Sequence, residues 1–302
     1  MPPQAEKEIC FMFFEKYEGN PVFGGPERGV CFDVYVTHDG EKYRMDFSWR
    51  DHKSLAVAFS DDGVHFGEPI ITLAPDPASA WEDEHVNRNC VLKIDGVYKM
   101  WYTGQSKGKS YIGYAESADG IHFTRMCKDP VLSPETDFEK DSVMNPCVLY
   151  ENGVYRMWYA AGATYEPNVL CYAESTDGIH FRKYENNPIF GHGEKEFEKD
   201  RVGGCQVIRT EDMGYLMFYI GYKDIDTACI CAAKSPDGIH DFVRSKNNPM
   251  VTATPGTWDE DSVYKPSMLY NGEKDLWTVW FNGRRGTREY VGCATRHGRP
   301  LF

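Results

Sequence analysis

One short motif recurs along this chain and constrains its fold more than any other feature. Ser60-Asp61-Asp62-Gly63-Val64-His65-Phe66 returns as Ser117-Ala118-Asp119-Gly120-Ile121-His122-Phe123 and again as Ser175-Thr176-Asp177-Gly178-Ile179-His180-Phe181. A fourth copy, Ser235-Pro236-Asp237-Gly238-Ile239-His240, carries an extra Asp241 before Phe242. The Asp-Gly pairs begin at 62, 119, 177 and 237, so the spacings are 57, 58 and 60 residues. Four copies at a near-constant period define a repeated structural unit. Asp-Gly between alternating runs predicts a hairpin turn, because glycine adopts positive φ without steric cost. The histidine repeats with the turn, and a catalytic histidine is not needed four times. His65, His122, His180 and His240 therefore read as structural.

Each unit carries further marks. Tyr98-Lys99-Met100-Trp101-Tyr102 matches Tyr155-Arg156-Met157-Trp158-Tyr159, with weaker copies at 43–47, 215–219 and 277–281. A third strand follows, as in Ile112–Ser117 and Leu170–Ser175, and then the Asp-Gly turn. After the turn come a short outer strand and an Asn-Pro or Asp-Pro pair, at 129, 187 and 248. The unit is thus four short antiparallel strands, and repeats of this size build propeller blades. Five units are countable, so the fold expected is all-β, a single five-bladed β-propeller over 1–302. The blades fall at about 20–75, 81–134, 138–191, 197–251 and 258–302. The last unit lacks an outer strand, so the segment around Phe11–Phe14 or Asn20–Phe23 is expected to complete it and close the ring.

Aromatic residues make up 14% of the chain, which suits strands and also sugar-binding clefts. The net charge of −13 repels phosphate backbones and argues against nucleic acid as a partner. The first ten residues have no basic region and no long apolar run, and no later segment approaches 18 apolar residues. Neither a signal peptide nor a membrane span is expected, and a cytoplasmic location is. The ten cysteines include no Cys-x-x-Cys pair, which speaks against structural zinc and for buried free thiols. No cofactor and no metal requirement is predicted, and nothing in the pattern specifies an oligomeric state.

Comparing the units with one another separates fold from function. A residue present in every blade serves the blade. A polar residue that differs between blades and faces the axis is a site candidate. Counting ten residues back from the tyrosine of the second strand gives Asp33, Arg88 and Asn145, with Gly204 and Lys265 as equivalents where the connection is longer. No fold requirement explains charges at one level around an axis, since buried charges need partners or a ligand. The alternative is a set of salt bridges tying the blades together. Asp33 would sit between Arg88 and Lys265 on its two neighbouring blades and be held ionised. Four residues earlier lie Glu84, Asp141, Asp200 and Asp261, each three after an aromatic, which suits either a repeated cap on backbone N–H groups or the pocket. His85 follows Glu84. Loop residues Trp49 and Arg50, Glu166, and Arg284 add polar candidates near the same end.

Through Tyr-x-Met-Trp-Tyr, Gly-Tyr-Ala-Glu-Ser-x-Asp-Gly-Ile-His-Phe and Asn-Pro-Val/Ile, the chain resembles the propeller glycoside hydrolases of families 32, 43 and 68 and the related family 130. The resemblance implies cleavage of a glycosidic bond in an oligosaccharide, by hydrolysis or, with phosphate, by phosphorolysis; a non-catalytic sugar-binding propeller is the alternative. Asp33 matches the aspartate that acts as base or nucleophile in such hydrolases. Arg88 and Met144-Asn145 stand where further carboxylates are usual, so the proton donor must come from elsewhere, with Glu166 or Asp200 favoured across the axis. Arg88, Lys265 and Arg201 are the cations available to a phosphate. Trp49, Arg50, Glu84, His85, Asp141, Asn145 and Arg284 complete the substrate-binding set.

Overall fold

The computed structural model describes residues 13–302. Cys10 and the first two residues of the predicted closing segment, Phe11 and Met12, lie outside the described residues. The described chain is strands and turns, with 3-10 helices at Arg50–His52 and Glu196–Glu198 and no α-helix. The strands are β1 (Glu15–Lys16), β2 (Cys31–His38), β3 (Tyr43–Trp49), β4 (Ser54–Ser60), β5 (Ile70–Leu73), β6 (His85–Ile94), β7 (Val97–Ser106), β8 (Lys109–Ser117), β9 (Thr124–Arg125), β10 (Ser142–Glu151), β11 (Val154–Gly162), β12 (Val169–Ser175), β13 (Arg182–Lys183), β14 (Arg201–Thr210), β15 (Gly214–Asp224), β16 (Thr227–Ser235), β17 (Val243–Arg244), β18 (Ser262–Asn271), β19 (Leu276–Arg285) and β20 (Arg288–His297).

They pair antiparallel in chain order within four-strand groups: β2 to β5, β6 to β9, β10 to β13 and β14 to β17. The last group, β18 to β20, takes β1 as its fourth strand, with Glu15 opposite Thr295 and Lys16 opposite Ala294. One parallel bridge, Ser142 to Ser110, joins the second and third groups. The first strands pack in sequence, β2 on β6, β6 on β10, β10 on β14 and β14 on β18, and β18 packs back on β2. The groups therefore ring a common axis, the arrangement of a β-propeller.

The repeated motifs are the joints between neighbouring groups. Ser175 Oγ accepts the Asp177 and Gly178 N–H groups, Asp177 Oδ1 accepts from Ile179 and His180, and Asp177 Oδ2 meets His180 Nδ1 at 2.7 Å. The same bonds recur at Asp62, Asp119 and Asp237, so all four histidines serve the turn. The turn glycine carbonyl then accepts an indole N–H from the preceding group: Trp101 to Gly178, Trp158 to Gly238 and Trp280 to Gly63, at 2.7–2.8 Å. In the first group the tryptophan position is Asp46, fully buried and held by Arg44 through two 2.7 Å bonds.

A second joint lies one residue after each aromatic noted above. Glu82, Glu139, Glu198 and Asp259 are buried carboxylates paired with Arg125, Lys183, Arg244 and Lys16. The first three cations sit on the outer strands β9, β13 and β17, and Lys16 sits on β1. Lys16 thus does for the last group what an outer-strand residue does for the others, the physical reason the N-terminal segment belongs there.

Cysteines serve as a third joint. Cys90 Sγ accepts the Val148 N–H at 3.3 Å and Cys147 Sγ the Val207 N–H at 3.2 Å. Gln206 to Met268 and Ser267 to Val36 continue the series around the axis. Burial pushes the Cys90, Cys147 and Cys205 thiols up to about 12, so all three remain protonated and the first two act as acceptors. The nine described cysteines are free.

Candidate functional site

Each first strand carries an irregularity at the same level. The pairing register skips between Phe32 and Tyr35, Asn87 and Cys90, Met144 and Cys147, Gly203 and Cys205, and Tyr264 and Ser267. Such bulges re-aim a side chain away from the ladder. Asp33, Arg88, Asn145 and Lys265 occupy them in left-handed backbone, with φ of 53°, 52°, 55° and 49°. Left-handed conformation costs an L-residue about 1–2 kcal/mol, and its repetition in polar residues at one level marks a site. Neighbouring groups hold the strained backbone in place. Asn282 Oδ1 accepts the Asp33 N–H at 2.7 Å, Ser48 Oγ accepts that of Arg88 at 2.9 Å, and Thr103 Oγ1 accepts that of Asn145 at 3.1 Å. At Gly204 a Cβ would stand 2.6 Å from Asn145 Cγ, so the fourth position is glycine to leave Asn145 its place.

A cavity of about 200 Å³ opens over this level, with Asp33, Arg88, Asn145, Arg50, Glu166 and Arg284 in its wall. Arg88 Nε lies 3.0 Å from Asp33 Oδ2, and this charge raises the arginine pKa against the opposing effect of burial. No donor hydrogen is directed at that oxygen. Asp33 Oδ2 and Asn145 Oδ1 are both buried without a hydrogen-bond partner. An unpaired buried acceptor is costly, and Asn145 Oδ1 has neither a hydrogen bond nor a counter-charge, which leaves it open to a donor from a ligand.

The cavity also contains residues that the comparison of first strands passes over. Glu289 on β20 is 8% exposed and meets Arg50 Nη2 at 2.6 Å. Burial raises its carboxyl pKa, Arg50 opposes, and the charge of Asp33 adds to the rise. Tyr264 is pushed well up by burial, then by Glu289 and Asp33. Tyr222 is raised by burial, then by Glu166 and Asp33. Both phenols stay protonated and can donate to a ligand oxygen.

A second cavity of about 350 Å³ adjoins the first and shares Phe32, Arg50, Arg88 and Glu166 with it; Trp49 and His85 also line it. The remaining expected residues lie elsewhere. Lys265 is 2% exposed, lines neither cavity, and forms no ion pair with Asp33. Its charge acts instead on the buried thiols of Cys90, Cys147 and Cys205. Asp33 therefore has one cation beside it from the ring, not two. Asp200 sits just before β14, paired with Arg201 and outside both cavities. Glu84 accepts the Lys107 N–H at the β7–β8 turn at 3.1 Å, and Asp261 does the same for Gly286. Asp141 is half-buried at the start of β10, and its carbonyl accepts the Ser110 N–H.

Comparison with known proteins gives this geometry a family. The model for the glycosyl hydrolases family 32 N-terminal domain matches residues 42–196 and, overlapping, 76–231. The chain belongs to this family. It is 27% identical over 266 residues to uncharacterized protein Rv1502 of Mycobacterium tuberculosis (strain ATCC 25618 / H37Rv), covering 78% of this chain and 85% of that one. It is 29% identical over 203 residues to a 1,2-beta-oligomannan phosphorylase of Thermoanaerobacter sp. (strain X514), covering 63% and 62%. A solved structure described as "Glycoside hydrolase" superposes with TM-score 0.76 at 15% identity, over 97% of this chain and 94% of that one. The fold is the propeller of this family, and its relatives include both hydrolases and phosphorylases.

Proposed function

We propose that the chain is a single five-bladed propeller enzyme that cleaves a glycosidic bond of an oligosaccharide by hydrolysis in the first cavity. The observation that carries this reading is the pair of buried carboxylates there, in unlike settings. Asp33 is held beside the Arg88 guanidinium, with its Oδ2 making an ion pair but no hydrogen bond. Glu289 is pushed toward its protonated form by burial and by Asp33. Glycoside cleavage needs that asymmetry: one carboxyl protonates the departing oxygen, and the other attacks the anomeric carbon or takes a proton from water. Glu289 is assigned as the donor and Asp33 as the base or nucleophile. Tyr222, Tyr264 and Asn145 offer hydrogen bonds to sugar hydroxyls.

Hydrolysis is favoured over phosphorolysis because each arginine of the first cavity already faces a carboxylate: Arg88 with Asp33, Arg50 with Glu289 and Arg284 with Asp226. Phosphorolysis is the second reading, supported by the basic wall of the adjoining cavity. Incubating the protein with a panel of oligosaccharides, with and without inorganic phosphate, separates the two. Free sugar independent of phosphate is the expected product, and sugar 1-phosphate selects the other reading. Asp33→Asn is expected to lower kcat about 10²–10⁴-fold while the protein stays folded. Full activity in that variant removes Asp33 from the mechanism.

A further inference from the structure

The second cavity has its own chemistry. Three cations, Arg50, Lys53 and Arg88, line it together with His85, against one carboxylate, Glu166. The chain as a whole has the opposite balance, 46 acidic to 33 basic residues. Arg50 and Arg88 are engaged with the carboxylates of the first cavity. Lys53 and His85 are not. Lys53 is exposed and forms no ion pair among the described residues, yet its main chain is fixed. It adopts left-handed backbone at φ 57°, and its carbonyl accepts the Val86 N–H at 3.0 Å. His85 is half-buried, and its ring makes no hydrogen bond among the described residues. Its pKa is pushed down by burial, then by Lys53, with Arg88 and Arg50 adding and Glu84 opposing. Beside them stands Trp49, whose indole N–H is bonded to the Arg28 carbonyl at 2.7 Å and whose ring packs on His52. A fixed indole can take the apolar face of a sugar ring.

We infer that this cavity receives an anionic sugar unit, one bearing a ring carboxylate or a phosphate ester, with Lys53 and His85 as its anion contacts. The inference rests on the reading of the first cavity as the cleavage site and places the charged unit next to the bond that is cut. A carboxylate or phosphate gains a charge-assisted hydrogen bond from Lys53 and a hydrogen bond from His85, whereas a neutral sugar leaves Lys53 without a counter-charge.

The test is titration calorimetry of the full chain, which needs no turnover. The probes are glucuronate, galacturonate and mannuronate, the corresponding 6-phosphates, the neutral sugars and inorganic phosphate. At least one charged sugar is expected to bind about 10-fold tighter than its neutral counterpart, and Lys53→Met is expected to abolish the difference. Equal affinity for charged and neutral sugars across the panel overturns the inference. So does a preference that survives Lys53→Met. Tighter binding of inorganic phosphate than of any charged sugar also overturns it and assigns the cavity to phosphorolysis. Charged-sugar binding without cleavage of any oligosaccharide leaves the anion subsite standing and removes the catalytic reading. Cleavage without the preference does the reverse.

Discussion

Replacing Arg50 by methionine should move the alkaline limb of the pH–rate profile upward. In the proposed reaction Glu289 acts in its protonated form, so activity falls as pH rises through its pKa. Arg50 opposes the rise in that pKa, with Nη2 at 2.6 Å from Oε2. Unit charges about 4 Å apart interact by about 1 kcal/mol in water and by about 4 kcal/mol at an effective dielectric near 20. The Glu289 side chain is 10% exposed but that of Arg50 is 45% exposed, so solvent screening places the pair near the lower figure. At about 1.36 kcal/mol per pH unit, the limb should rise by about one unit. Burial and the Asp33 charge remain in the variant, and both act in the same direction. Arg50→Lys keeps a cation and should move the limb far less. The assay is kcat against pH, with carbon-13 NMR titration of the Glu289 carboxyl as a reading independent of turnover. A limb and a carboxyl titration that stay put, or move down, in Arg50→Met would refute the assignment of Glu289 as the donor.

Lys16→Met should leave the buried carboxylate of Asp259 unpaired and cost about 3–5 kcal/mol in urea denaturation, with Lys16→Arg recovering most of it; an unchanged midpoint would mean that β1 does not close the ring. Trp158→Phe deletes the donor to the buried Gly238 carbonyl and should cost about 1–3 kcal/mol by the same measurement, and a neutral result would remove the indole joint from the account. EDTA should leave both turnover and the melting temperature unchanged, because no cluster of three metal-binding side chains occurs among the described residues. Loss of activity on chelation, restored by calcium, would reverse that expectation.

Much of the architecture is legible in the sequence because the blade repeats. The Asp-Gly turns, the Met-Trp-Tyr strands and the level of Asp33, Arg88 and Asn145 all follow from lining up copies of one unit. The joints are less legible. Glu82, Glu139, Glu198 and Asp259 recur as regularly as Glu84, Asp141, Asp200 and Asp261, and only two positions earlier. A period alone does not say which of two nearby acids is buried. Their cations decide it, and those lie 43 to 46 residues downstream for the first three and 243 residues upstream for the last. Lys265 fails for a related reason. Its backbone shares the bulge of Asp33 and Arg88, but which depth of the channel the side chain reaches depends on neighbours that sequence spacing does not place.

The residue proposed as the donor has a sequence signal too, on the third strand rather than the first. Counting back seven residues from Ser60, Ser117, Ser175, Ser235 and, in the last group, Arg296 gives Lys53, Ser110, Asn168, Ala228 and Glu289. The pairing supports that alignment, since Ser110 lies opposite Gln105 on β7 and Glu289 lies opposite Arg284 on β19. One position at the head of the third strand thus carries a base, an acid and three uncharged residues around the ring. No blade requirement produces that variation. It is the pattern that singled out Asp33 and Arg88 on the first strand, two strands further from the axis. Its two charged members are the residues that give each cavity its character: Glu289 supplies the first with a protonatable carboxyl, and Lys53 gives the second an unpaired cation. In a ring of near-identical units, function is written where the copies disagree, and every strand that reaches the cavity has to be read for it.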